Sequence, residues 1–174
     1  LFYRTCLRHS EFVILSTNDM HASLDNVARL ATAVEECRDT VFTIVVDAGD
    51  RWTGNAYVDL AEGRLPMIQL MNAVGYDVAT LGNHDFDPGQ KVLDNAIEKS
   101  KFAVVCANME SEGEWLDDVE ESAQIVTPEG VKVDFPKFGL YCRNHSIKSC
   151  ANIVGGFAFY RAKNFFNFHN KKFY

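Results

Sequence analysis

Four prolines in 174 residues, no Cys-x-x-Cys pair and no apolar run near the ~18 residues of a membrane span set the first limits on this chain. The first argues against a proline-rich linker or fibrous architecture. The second removes zinc-ribbon and thioredoxin-like readings. The third removes a spanning helix from the expectations. The five cysteines, at 6, 37, 106, 142 and 150, are odd in number and read as buried or incidental thiols. No methionine stands at position 1 and no signal-peptide pattern follows. Leu1 is therefore expected to open a fragment or a processed chain. Acid is missing from one end altogether. Residues 1–134 hold 10 Lys/Arg and all 24 Asp/Glu, a net of 10 − 24 = −14. Residues 135–174 hold 7 Lys/Arg, no acid, 8 of the 13 Phe and 3 of the 6 Tyr.

A basic, aromatic stretch can stack on nucleobases or lie on a membrane surface. Lys171-Lys172 is its only basic pair, and the charges have no helical period, so neither reading is adopted. The expected organisation is one domain part over residues 1–140 and a divergent or aberrant tail over residues 141–174, contributing little to any site.

What is present is alternation. Residues 12–17 read as a buried strand. A helix is expected from a cap at Ser23 or Asp25 to about Cys37, with Val27, Leu30, Ala31 and Val34 on one face. Residues 41–47, the most β-branched run, read as a central strand. Pro66 marks the first turn of a helix whose stripe is Met67, Leu70, Met71 and Val74, with Gly75 as its stop. Residues 77–81 read as a strand. Asp87-Pro88 is expected to cap a helix running to Lys99, with Val92, Leu93 and Ile97 inward. Residues 102–107 form the next strand, the seven acids in 110–121 a solvated excursion, and residues 131–140 a further strand. The order β-α-β-α-β-α-β predicts a layered α/β core with mainly parallel strands.

Polar clusters follow three of those strands. Asp19-Met20-His21 puts a carboxylate and an imidazole two residues apart, on one side of the chain if that segment is extended. Asp47-Ala48-Gly49-Asp50 places two carboxylates around a small-residue turn; Asp50 is the better ligand candidate, and Asp47 could instead brace the loop. Gly82-Asn83-His84-Asp85 supplies an amide oxygen, an imidazole and a neighbouring carboxylate. Each alone is more often an ordinary turn. The carboxyl ends of parallel strands converge on one crevice, and three independent turns there are a poor account.

Thr17-Asn18-Asp19-Met20-His21, Asp47-Ala48-Gly49-Asp50-Arg51-Trp52-Thr53-Gly54 and Leu81-Gly82-Asn83-His84-Asp85-Phe86-Asp87 resemble the first three signature blocks of the calcineurin-like metallophosphoesterases. Within them they are most similar to the group of 5′-nucleotidases, UDP-sugar hydrolases and 2′,3′-cyclic phosphodiesterases. Val105-Cys106-Ala107-Asn108-Met109 is similar to a fourth block of that group. The resemblance spans roughly residues 11–140. It implies a truncated α/β/β/α sandwich, two divalent metal ions (Zn, Mn, Mg, Fe or Ca) and a nucleotide or other small phosphoester as substrate, with no nucleic-acid polymer as partner. It implies a periplasmic, secreted or cell-surface location and a further C-terminal domain in the parent protein.

By position, Asp19 and His21 would bind one metal, Asp50 would bridge both, and Asn83 would bind the second. His84 would be catalytic beside the substrate phosphate, Asp85 would hold it, and Asn83 and His84 would meet the substrate. Two ions together activate water and neutralise phosphoryl charge. The chain departs from the family in three ways. Ala22 stands where Gly follows the first histidine. The later Gly-His and Gly-His-x-His blocks are not found, since His145 and His169 lie in other contexts. The C-terminal domain is not in the sequence. A relative that binds one metal or phosphate without turnover, and a noncatalytic interaction domain, are the competing expectations.

Overall fold

A computed structural model describes the backbone of residues 2–7, 10–106, 110–111, 114–115 and 118–135, with side chains over 12–106 and 118–135. Ala107, Asn108 and Met109 of the fourth block, residues 136–140 of the expected last strand, His145, His169 and the tail over 141–174 lie outside the described residues.

Strand β1 (Phe2–Leu7) pairs antiparallel with β2 (Ser10–Thr17). After it the chain alternates. Helix α1 (Val27–Arg38), strand β3 (Phe42–Asp47), the short helix α2 (Ala56–Asp59), helix α3 (Leu65–Val74), strand β4 (Val78–Ala79), helix α4 (Gln90–Lys99) and strand β5 (Ala103–Val104) follow in order. The sheet runs β1-β2-β3-β4-β5, and β2 to β5 are parallel. The chain is thus an α/β fold with four neighbouring parallel strands, as the alternation predicts.

Two backbone hairpins come last, β6 (Glu110–Ser111) with β7 (Glu114–Trp115) and β8 (Ala123–Val126) with β9 (Lys132–Phe135). Within the acidic excursion, Glu120 returns to the sheet edge and exchanges backbone bonds with Val104 and Cys106 at 2.8 and 3.0 Å.

Alternation along β3 decides the layers, because successive side chains leave a strand on opposite faces. Val45 joins Leu15, Ala79 and Val104 against α1, α3 and α4. Ile44 and Val46 join Phe12, Ile14 and Val78 against Val133 and Phe135 of the last hairpin. Helices cover one face of the sheet and a β layer packs on the other.

The helices depart from expectation at their ends. The α1 N-cap is Asn26, with no side-chain bond, rather than Ser23 or Asp25. On α3 the buried set adds Ile68 to Met67, Met71 and Val74, and Gly75 ends the helix at φ 84°, a left-handed turn that glycine takes without a Cβ penalty. Asp87 does not cap α4. Gly89 occupies that place, Ala96 rather than Val92 joins Leu93 and Ile97 inside, and the Asp87 carboxylate is used elsewhere. Two strands are shorter than expected, β4 and β5 pairing over two residues each.

Phe135 is 1% exposed and fills the second core. Its truncation to Ala should cost about 3–5 kcal/mol, the usual range for a buried Phe. Urea unfolding of the variant checks this; a change below about 1 kcal/mol would mean the hairpin does not seal the sheet.

Candidate metal centre

The parallel pairing of β2 and β3 continues beyond the strands. Ala48 N–H donates to Thr17 O, Asp19 N–H to Gly49 O, His21 N–H to Asp50 O and Ala22 N–H to Arg51 O, at 2.8–3.1 Å. The first two clusters are therefore laced together along their backbones. Asp19 and His21 lie on a left-handed turn (φ 49° and 45°), not on an extended segment. That turn, rather than strand alternation, brings Asp19 Oδ1 to 3.8 Å from His21 Nε2.

Asp85 attaches the third cluster. Its buried carboxylate accepts the N–H groups of Asp50 (3.0 Å), Arg51 (3.2 Å) and Gly82 (2.8 Å). In return His84 N–H donates to Asp50 Oδ1 at 2.7 Å. The glycines permit this closeness. A Cβ at Gly82 would fall on the Asp50 carboxylate and lie 2.6 Å from its amide nitrogen. Gly49, at φ 96°, lies against Gly82 in the same way.

One ligand atom from each of Asp19, His21 and Asp50 fits within a 4.8 Å span. Asn83 opens the turn that follows, half-buried and next in the chain to His84, and the His84 ring meets the His21 ring edge-on at 5.0 Å between centroids. Asp19, His21, Asp50 and His84 therefore share one mouth of the sheet, and Asn83 adjoins it. Burial raises the Asp50 pKa, and the negative charges of Asp85 and Asp19 add to that, against the His84 N–H bond. Carboxylates converging beside an imidazole nitrogen are a donor set that suits a divalent cation.

Five non-glycine residues of these loops hold positive φ: Asp19, His21, Ala22, Asp50 and Thr53. Such conformations cost roughly 1–3 kcal/mol each and gather where a site requires them. Ala22, at φ 55° and fully buried, explains why glycine is expected there.

A family model for calcineurin-like phosphoesterases matches residues 12–161. The chain belongs to that family. A trifunctional nucleotide phosphoesterase from Bacillus subtilis is 39% identical over 99 residues, covering 56% of this chain and 7% of that protein. A venom 5′-nucleotidase of Gloydius brevicauda is 30% identical over 148 residues, 75% of this chain and 25% of that protein. Among solved structures, a Thermus thermophilus 5′-nucleotidase precursor superposes with a TM-score of 0.65 at 26% identity, over 71% of this chain and 27% of that one. The B. subtilis phosphoesterase domain gives 0.55 at 30% identity, over 70% and 45%. The chain spans about a quarter or less of the curated relatives it matches. Among its described residues no helix is long and apolar enough to cross a membrane.

One assignment changes. Asp85 does not hold His84, because adjacent residues on a turn face apart and the Asp85 carboxylate is spent on backbone amides. Asp87, one turn on, takes His84 Nδ1 at 2.8 Å. That hydrogen bond and the charge behind it raise the His84 pKa. Spacing of three on a tight turn was the signal in the sequence. Thr53, Asp59 and Arg51 were also missed. Arg51 is 1% exposed, with Nε 3.4 Å from Asp85 and 3.9 Å from Asp47 and a donor on Thr80 O. Nothing in an isolated Asp-Arg-Trp run announces a buried guanidinium.

Asp47 braces the loop. It is fully buried and accepts Thr17 O–H at 2.6 Å and Gly49 N–H at 3.0 Å. Burial outweighs Arg51 and these bonds and pushes its pKa up to about 6. Because the folded value is the higher, the folded chain keeps a proton that the unfolded chain has released between about pH 4 and 6. Stability from this group therefore falls as pH rises through that window, by on the order of 1–3 kcal/mol. Urea unfolding of the chelated chain at both ends of the window should show the fall shrinking in Asp47→Asn. An identical pH dependence in variant and wild type would contradict the assignment.

Proposed function

We propose that this chain is the metal-binding part of a phosphoester hydrolase of the 5′-nucleotidase type, acting on a nucleotide phosphate with a dinuclear centre. The reading is carried by the convergence of Asp19, His21 and Asp50, with their ligand atoms within 4.8 Å, beside the turn that bears Asn83 and His84. Asp19 and His21 would hold one divalent ion, Asp50 would be shared, and the Asn83 amide oxygen would hold the other. Ions bound there lower the pKa of water and neutralise phosphoryl charge.

The chain's own groups supply the rest. Asp87 is a carboxylate and only accepts, so its 2.8 Å contact makes His84 Nδ1 the donor. His84 Nε2 is thereby left to face the substrate. The raised pKa favours the imidazolium, which can donate from Nε2 to a phosphoryl or leaving oxygen. The exposure of His21 and Asp19, at 40% and 46%, leaves the mouth accessible to a small solute. Relatives named as 5′-nucleotidases support a nucleotide as substrate, and the venom relatives support a site of action outside the cytoplasm. The partial span of those relatives gives the competing reading, a chain that binds one ion without turnover.

Mn²⁺ content per chain, measured together with hydrolysis of an aryl phosphate, tests the reading. Wild type should take up Mn²⁺ and turn over. Asp50→Ala should lose metal, and His84→Gln should keep it while turnover falls about 10²-fold or more. Uptake without hydrolysis would favour the noncatalytic reading. No uptake would sink both.

A further inference from the structure

Both histidines of the site end on one residue. His21 Nδ1 lies 3.0 Å from the carbonyl oxygen of Thr53. A carbonyl only accepts, so His21 carries a proton on Nδ1, and in the neutral ring that tautomer puts the lone pair on Nε2, on the side of Asp19. The Thr53 hydroxyl donates to Asp87 Oδ2 at 2.7 Å, and the same oxygen takes His84 Nδ1 at 2.8 Å. The carbonyl thus acts on one histidine and the hydroxyl, through Asp87, on the other.

The conformation that allows this is unfavourable. Thr53 sits at φ 67°, a region that a β-branched residue rarely occupies. Glycine would relax the backbone but would forfeit the hydroxyl. The loop is held from α2 instead. Asp59 accepts Thr53 N–H at 3.1 Å and Gly54 N–H at 2.9 Å, one on each oxygen. Arg64 lies 3.5 Å from Asp59 Oδ1 and donates to Thr53 Oγ1 at 3.3 Å, so the hydroxyl is fixed on both sides. Asn55 caps α2 by accepting Tyr57 N–H at 3.0 Å, which sets where Asp59 stands. The Asp59 side chain points at the loop and at no metal ligand. Val58 anchors this four-residue helix in the core, fully buried, while Tyr57 and the following Leu60 are exposed, so the helix that carries Asp59 is fixed in place.

We propose that Thr53, clamped by Asp59, is the positioning residue that aims both histidines: its carbonyl fixes the His21 tautomer and its hydroxyl fixes Asp87 against His84. The metal part of this inference rests on the proposed function; the hydrogen-bonding part does not.

The test uses the full chain. Nitrogen-15 NMR of the metal-free protein, at a pH where both imidazoles are neutral, reads each tautomer. Wild type should show His21 and His84 as Nδ1–H forms, against the Nε2–H form that free imidazole side chains favour. Thr53→Val, which removes the hydroxyl and keeps the carbonyl, should return His84 toward Nε2–H and leave His21 alone. Thr53→Ser should restore His84. Asp59→Ala should release both rings and weaken Mn²⁺ binding, read by calorimetry, about 10-fold or more, as lost outer-shell partners do. If Asp59→Ala folds poorly, Asp59→Asn, which keeps one acceptor, should give the same change in smaller measure. Wild-type tautomers in Thr53→Val and in both Asp59 variants would overturn the proposal. A wild type that binds no Mn²⁺ would overturn the proposed function while leaving the tautomer comparison readable.

Discussion

The Asp85 carboxylate is the point on which the site depends. It is fully buried, yet it accepts three backbone N–H groups from two loops and faces the Arg51 guanidinium at 3.4 Å. A buried carboxylate without such partners would be costly, and removing it would strand three amides and leave Arg51 with Asp47 as its remaining carboxylate. Asp47 approaches the same Arg51 Nε at 3.9 Å. Two acids and one base below the floor of the crevice lock the second and third clusters against each other. The backbone ladder from β2 and β3 locks the first to the second. Three segments far apart in sequence thereby become one rigid surface.

That rigidity is what allows strained residues to persist. Asp19, His21, Ala22, Asp50 and Thr53 would relax to ordinary backbone angles if the loops were free. Held in place, they turn ligand atoms toward one another. Strain in the loops is offset by burial elsewhere, where helices pack on one face of the sheet and the last hairpin on the other. The parallel order of β2 to β5 puts the loops at one end, so the fold and the site have the same cause.

Much of this was legible in the sequence, and the part that was not has physical reasons. Periodicity identified α1, α3 and β3 because each buries a face whose spacing the chain must repeat. Pro66 and Gly75 bounded α3 because each is restricted or freed at the backbone alone. The three clusters were legible because they follow apolar runs. Adjacency in sequence points to Asp85 as the partner of His84, but the turn brings Asp87 round to the ring and Asp85 under it to the backbone amides. An extended segment would also put Asp19 and His21 on one side, and nothing local favours positive φ there; backbone bonds to Gly49 and Asp50 impose the turn. Thr53 and Arg51 act on His21, Asp87, Asp85 and Thr80, which lie far off in sequence, and Asp59 acts on Thr53 and Gly54 across a loop whose spacing matches no regular element.

The central claim is that the three loops build one cation site from Asp19, His21 and Asp50, with Asn83 beside it. Anomalous diffraction from crystals of the full chain grown with Mn²⁺ tests it most directly. The account predicts a manganese peak bounded by Asp19, His21 and Asp50. Well-ordered loops with no peak there, or a peak only at some other group of acids, would contradict it.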